Sequence, residues 1–181
     1  MLMKWWLGCP LFPAHTHPQC PLCGDSMDSF GDHLLCCKKS GFLQRHSAIV
    51  RHLWHMSTAA GFRAETEVAI GGNTRPADLL LPHWKGGGPL AIDVTVVHPL
   101  APSIPLQTVK TGREALDRAE KDKDDKHGEV CTQSNIPFTP FVLSTFGALS
   151  SSSDAFFNDL GSAGWAAACG VPATATTSAE A

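Results

Sequence analysis

No run of eighteen apolar residues occurs anywhere in this 181-residue chain, which argues against a helical membrane span. A secretory leader is not expected either. Residues 1–12 are apolar apart from Lys4, but the stretch is short, has no small-residue cleavage site and is broken by Pro10 and Pro13. Strong charge of either sign is missing. A net charge of −3 provides no whole-chain field to draw in nucleic acid, so any such affinity must come from local patches. No internal repeat is present, and the length suits one modest domain plus an accessory module.

What is present is unevenly spread. Residues 1–64 hold six Lys/Arg against three Asp, and six of the nine His; the acidic residues concentrate after Glu65. A hydrophobic share of 43% fits a globular protein. Seven cysteines is an odd number, and four of them (Cys20, Cys23, Cys36, Cys37) fall within eighteen residues that also contain His33. Without a secretory signal this pattern reads as a metal site rather than a disulfide framework.

The ligand spacing supports that reading. Cys20-x2-Cys23 lets two thiolates leave one tight turn, Pro21-Leu22, with Gly24 behind it. His33 and Cys37, one helical turn apart, supply the other two ligands from one face. A Cys3His set suits Zn2+, and four protein ligands close the site, making it structural. Cys36 competes with Cys37 for the fourth position; the spacing of four from His33 favours Cys37. Buried free thiols are the plainer alternative. Cys9, Cys131 and Cys169 have no partner at ligand spacing and read as core or surface thiols.

Further along, residues 42–60 carry a helical pattern (Leu43, His46, Ile49/Val50, Leu53/Trp54, Ser57) closed by Gly61. Strands are expected over 65–70, 76–81 and 90–97, the last two joined by a loop from Pro82 to Pro89. A charged helix follows from Arg113 to about Glu129, then a strand over 138–145 and a helix near Asp154 capped by the serine run before it. From Pro172 the Ala/Thr/Ser tail reads as disordered. The order implies an α/β or α+β domain around a small mixed sheet flanked by helices.

Two aspartates stand out. Asp78 precedes Leu79-Leu80-Leu81, and Asp93 lies in Ala91-Ile92-Asp93-Val94-Thr95, with fourteen residues between them. A carboxylate inside an apolar strand is costly unless compensated. On neighbouring strands the two could converge on one divalent cation, with the Val94 carbonyl as a further oxygen. Mg2+ or Mn2+ held there would keep waters for phosphodiester hydrolysis. The plainer alternative is a pair of strand-end carboxylates paired with Arg75 or a capped amide. Glu65 and Glu67 share an early strand face and offer a weaker candidate for an extra acid, with solvent exposure as the plainer reading.

Taken together, these motifs resemble the restriction-like endonuclease domain of site-specific non-LTR retrotransposon proteins, a branch of the PD-(D/E)xK nucleases. The resemblance covers roughly residues 6–161. It rests on Cys-Pro-Leu-Cys-Gly (20–24), Gly-Asp-His-Leu-Leu (31–35), Arg45-His46, Arg-Pro-Ala-Asp (75–78), Ala-Ile-Asp-Val-Thr-Val-Val (91–97), Ala119-Glu120 with Lys123 and Lys126, and Phe138 through Gly147. It implies a CCHC zinc knuckle over 20–41 and a restriction-endonuclease-like core over 42–161, with 1–19 a linker or upstream remnant and 162–181 a tail. Asp78 and Asp93 would be the catalytic, magnesium-binding acids.

Two departures from the family pattern bear on activity. Ala77 intervenes in the first motif, and Thr95 stands where the superfamily lysine is usual. In this branch the lysine resembles one displaced to a neighbouring helix, which maps to Lys123 or Lys126, with His127 at the position of a tyrosine. A solvated charged helix is the plainer reading of that segment. Arg45 and His46 would contact DNA phosphate or dock the knuckle. The implied protein is a DNA-nicking, Mg2+- or Mn2+-dependent nuclease of retrotransposon origin, nuclear, with DNA as partner, RNA as a further partner in the parent protein, and no membrane. At 181 residues it would lack the reverse transcriptase. A catalytically inactive nucleic-acid-binding remnant is the main alternative, and a protein-interaction zinc module a third. The discriminating geometry is whether Asp78, Asp93 and one lysine converge.

Overall fold

A computed structural model describes residues 4, 7–13, 15–16, 18–72, 77–85, 87–101, 104, 111 and 113–169. Expectations resting on Arg75, Pro76 and the tail from Pro172 lie outside these residues.

The sheet has four strands in the order β1 (Glu65–Val68), β2 (Ala77–Trp84), β3 (Gly88–Val97), β4 (Phe138–Ser144). The first three run antiparallel to their neighbours, and β4 lies parallel to β3, so the sheet is mixed. A parallel neighbour demands a crossover. Here it is supplied by α3 (Arg113–Lys123), a π-helical turn (Asp124–Gly128) and α4 (Glu129–Gln133). Before the sheet stand the single-turn α1 (His33–Cys36) and the long α2 (Phe42–Ala59); α5 (Ser151–Ala168) follows β4. The result is a small mixed sheet flanked by helices, with a Cys/His cluster ahead of it.

Strand alternation sorts side chains to two faces. On one, Leu79, Leu81, Ile92, Val94 and Phe141 pack with Val50 and Leu53 of α2 and with Phe156 and Leu160 of α5. Trp54 and Trp84 border this core, and Trp84 lies 5.2 Å from the Phe156 ring. The other face carries Ala91 and packs against Cys131 of α4, with Ile136 and Phe138 at its margin. Gly71 has φ 68°, and a Cβ there would lie 2.7 Å from Val130 Cγ1. Only glycine lets that turn approach α4 so closely.

Several boundaries differ from the sequence expectation. The stretch Pro82 to Pro89 is not a loop: β2 continues through Pro82 to Trp84, and β3 begins at Gly88. The pairing slips between Leu81 and Trp84, the kind of irregularity that lets a proline sit in a strand without a ladder donor. Leu43 is 73% exposed, so the buried stripe of α2 runs through Val50, Leu53 and Ser57. Helix α5 begins at Ser151 and runs on to Ala168, past the boundary at 161. The stretch before Cys20 is partly built into the knuckle. The Leu11 and Phe12 N–H groups both donate to Ser29 O, and Gln19 bridges to Ser26. Among the described residues no helix is long and apolar enough to cross a membrane.

Candidate functional site

The Cys/His cluster is assembled from a turn and a helix end. Gly24 N–H closes on Cys20 O at 2.8 Å, setting Cys20 and Cys23 side by side. His33 opens α1, and Cys37 follows its last residue with its N–H on His33 O at 2.7 Å. The ligand atoms of Cys20, Cys23, His33 and Cys37 all lie within 4.8 Å of one another. Cys20 Sγ and Cys37 Sγ are 3.9 Å apart, against ~3.8 Å for two thiolates on a tetrahedral zinc. Cys36 is outside the cluster, which answers the question of the fourth ligand.

The electrostatics fit a cation. Burial opposes ionisation of Cys20, yet the N–H groups of Cys23 and Leu22 bring its thiol down to about 6. Cys23 is pushed up to about 12: the Asp25 N–H favours its thiolate, but burial and the sulfurs of Cys20 and Cys37 outweigh it. Such crowded donors ionise together only around positive charge. Asp28 stiffens the site from behind. Its carboxylate accepts N–H from Phe30 (2.9 Å), Asp32 (3.1 Å) and His33 (2.9 Å). Burial disfavours that charge, but the N–H donors of His33, Asp32 and Phe30 prevail and hold Asp28 below the usual carboxylate range. These residues thus form a possible zinc site, with all four ligands from protein.

The second cluster lies where β2 and β3 part. Their ladder reaches Leu79 opposite Ile92, and the same register carried one step further sets Asp78 against Asp93. Beyond that pair, Asp78 Oδ2 takes the Val94 N–H at 2.8 Å, satisfying a backbone donor the ladder has left. His46, from the first turns of α2, places Nε2 2.9 Å from the same oxygen. A carboxylate only accepts, so His46 Nε2 carries the proton. Asp93 is 6% exposed, and Lys123 Nζ, at the end of α3, stands 2.5 Å from its Oδ2. Burial, first of all, pushes the Asp93 carboxyl up; the Asp78 charge adds to this, and Lys123 offsets only part. Among the described residues, Oδ1 of each aspartate has no protein donor. Two crowded carboxylates, each with one free oxygen and one of them disfavoured as an anion, match the needs of a hard divalent cation.

The structure brings Asp78, Asp93 and Lys123 together. Lys126 is exposed and does not join them. The cause is the π-helical turn: its wider winding carries Lys126 away from the sheet and turns His127 inward instead. His127 is half-buried 6.1 Å from the Phe138 ring. Burial lowers its pKa, against the pull of the Asp93 charge. Sequence reasoning missed His127 as a neighbour of the acids, and missed His46 as a partner of Asp78. Glu67 is exposed with φ 54° and lines a cleft of about 220 Å3 with His46, Ser47 and Arg51. Glu65 pairs with Arg63 at 2.9 Å. Thr95 lies on β3 opposite Val142.

A groove of about 730 Å3 opens elsewhere, along the seam between the Cys/His cluster and the end of β3. Lys38, Lys39, Phe42, Arg45 and His98 line it. Cys23, His33 and Cys37 of the cluster face it as well.

No family model matches the chain, and no curated protein matches it significantly.

Proposed function

We propose that the chain is a metal-dependent DNA endonuclease domain that nicks a strand by phosphodiester hydrolysis, of the retrotransposon type its motifs resemble. The observation that carries this reading is the meeting of Asp78, Asp93 and Lys123 at the parting of β2 and β3. A Mg2+ or Mn2+ ion bound there would supply a water of lowered pKa and offset charge on the phosphate. The protein's own share is positional. Asp78 and Asp93 would hold the ion through their free oxygens, and His46 and the Val94 N–H fix the plane of Asp78. Lys123 provides the cation that Thr95 lacks, in a half-buried setting where a fixed charge acts strongly on a reacting phosphate. Cys20, Cys23, His33 and Cys37 would hold a structural Zn2+. Lys38 and Lys39 along the seam groove would meet phosphate backbone. DNA is the partner on this reading, RNA a further one in a longer parent protein, and the nucleus the place of action.

One observation favours a second reading, a nucleic-acid-binding domain that no longer cuts. Lys123 already pairs with Asp93, and His46 already donates to Asp78, so both acids have protein partners without an ion. A plasmid-nicking assay separates the two. Supercoiled DNA with Mg2+ should relax to open circles, and a double Asp78→Ala, Asp93→Ala variant should leave it intact. Tight DNA binding without nicking by the folded wild type would establish the second reading.

A further inference from the structure

We propose that the Cys/His knuckle controls the geometry of the acidic site through two adjacent residues, Arg45 and His46, acting as a positioning relay. The proposal rests on the reading of Asp78 as a cation ligand, but its test does not depend on catalysis. Consecutive residues on a helix point about 100° apart. In the first turns of α2 that divergence aims one side chain at each site. Arg45 Nη2 donates to Leu35 O of α1 at 2.7 Å, within the turn that connects His33 to Cys37. His46 Nε2 donates to Asp78 Oδ2 at 2.9 Å. Arg45 Nε is buried with no partner, so the guanidinium is held at the seam by its bond to the knuckle.

The chain between the last knuckle ligand and α2 is too short to absorb movement. Cys37 to Gly41 is closed by Ser40, whose N–H and Oγ both bond Cys37 O, at 2.9 and 2.7 Å. The knuckle also reaches the strand that carries the second acid. His98, one residue past β3, is 6% exposed; its Nδ1 meets Thr145 Oγ1 at 2.6 Å, and its Nε2 faces Asp32 Oδ1 of the knuckle at 3.5 Å. The module thus touches both elements that set the aspartates: α2 through Arg45, and the end of β3 through His98. A knuckle of this size folds only around its metal. Without zinc the Leu35 carbonyl is no longer fixed, Arg45 loses its anchor, the start of α2 loosens, and His46 releases Asp78. Partners that orient a metal-binding carboxylate typically govern 10–100-fold in metal affinity or activity.

The test is histidine side-chain NMR on the full chain loaded with zinc and free of Mg2+. A slowly exchanging His46 Nε2–H signal is expected, assigned by its loss in His46→Gln. Removing zinc with a chelator should abolish it. Zinc removal could unfold more than the knuckle, so Arg45→Leu is the second arm: with zinc still at one per chain, the signal should broaden or vanish, and Arg45→Lys, which keeps a donor for Leu35 O, should retain it. Persistence of the signal in zinc-bound Arg45→Leu, or its absence from the zinc-loaded wild type, would overturn the relay. In parallel, Arg45→Leu should nick DNA roughly tenfold more slowly. If the wild type never nicks while the NMR signals behave as described, the nuclease reading fails and the relay stands.

Discussion

Lys123 Nζ and Asp93 Oδ2 meet at 2.5 Å, one from the end of a crossover helix and the other from the middle strand region it covers. The lysine side chain is 23% exposed and the aspartate side chain 9%. Removing two charges from water costs more than one such contact returns. The carboxyl of Asp93 accordingly lies above its ordinary value, burial being the main cause and the Asp78 charge the next unfavourable one.

A pH dependence follows. The folded state holds a proton on Asp93 in a window where the unfolded chain has lost it, so stability falls as pH rises through that window. The penalty is complete above the folded value and absent below the unfolded one, about 3.9. Asp93→Asn should therefore raise the Tm at neutral pH, and the gain should vanish near pH ~4. Millimolar Mg2+ should raise the Tm of the wild type and leave Asp93→Asn unmoved, since only the former offers the ion two carboxylates. Thermal scans at both pH values, with and without the ion, read all of this; a lower Tm for Asp93→Asn at neutral pH would contradict it.

The knuckle yields a second prediction. The purified chain should carry one zinc, and Cys23→Ala should lose it together with the fold of residues 20–41. Asp28 ligates nothing, but it accepts three backbone N–H groups, including that of the ligand His33. Asp28→Ala should weaken zinc binding by about 10–100-fold, measured by competition with a chromogenic chelator. Equal affinity in the variant would mean the ligands are set by their own turns alone.

Much of this was readable from residues, and the rest was hidden for physical reasons. Cys-x2-Cys and His-x3-Cys are local geometries, so spacing alone pointed to the four clustered ligands. Asp78 and Asp93 announced themselves by being charged inside apolar strands. His46 carried no such mark: its partner is 32 residues away, and only the packing of α2 against the strands brings them together. The π-helical turn was equally silent, because Asp124 to Gly128 reads as ordinary charged helix; regular spacing would have put both Lys126 and His127 on the face of Lys123, and the wider turn leaves only His127 there. Pro82 misled by its usual meaning, since the irregular pairing at the end of β2 accommodates it.

The outer edge of β4 supports a third prediction. Among the described residues no named strand covers it; Leu149 bridges to Leu143, the Ser150 N–H donates to Val142 O at 3.0 Å, and Ser153 of α5 takes the Val142 N–H on its Oγ at 2.6 Å and donates to Val142 O at 3.0 Å. Ser153 is fully buried, so no water can replace it. Ser153→Ala should cost about 1–3 kcal/mol by leaving the Val142 N–H unsatisfied, read from the urea midpoint. Ser151, at the exposed start of the same helix, is the control, and Ser151→Ala should change stability far less.

The last prediction separates the two lysines. Lys123 touches Asp93, whereas Lys126 is exposed beyond the π-helical turn. If Lys123 supplies the charge at the reacting phosphate, Lys123→Ala should slow nicking by on the order of 100-fold or more while DNA affinity falls little. Lys126→Ala should do the reverse, changing the salt dependence of DNA binding by only about one unit of log–log slope and sparing the rate. Thr95 follows Asp93 by two residues on β3 and shares its face. Thr95→Lys in the Lys123→Ala background should then recover part of the rate, because the two positions approach the same phosphate from strand and helix. One time course and one salt titration per variant decide it. A larger rate loss in Lys126→Ala than in Lys123→Ala would show that the helix turns on binding DNA. Nicking that ignores both lysines would place the catalytic charge elsewhere, with Lys85 and Arg75 the next residues to replace.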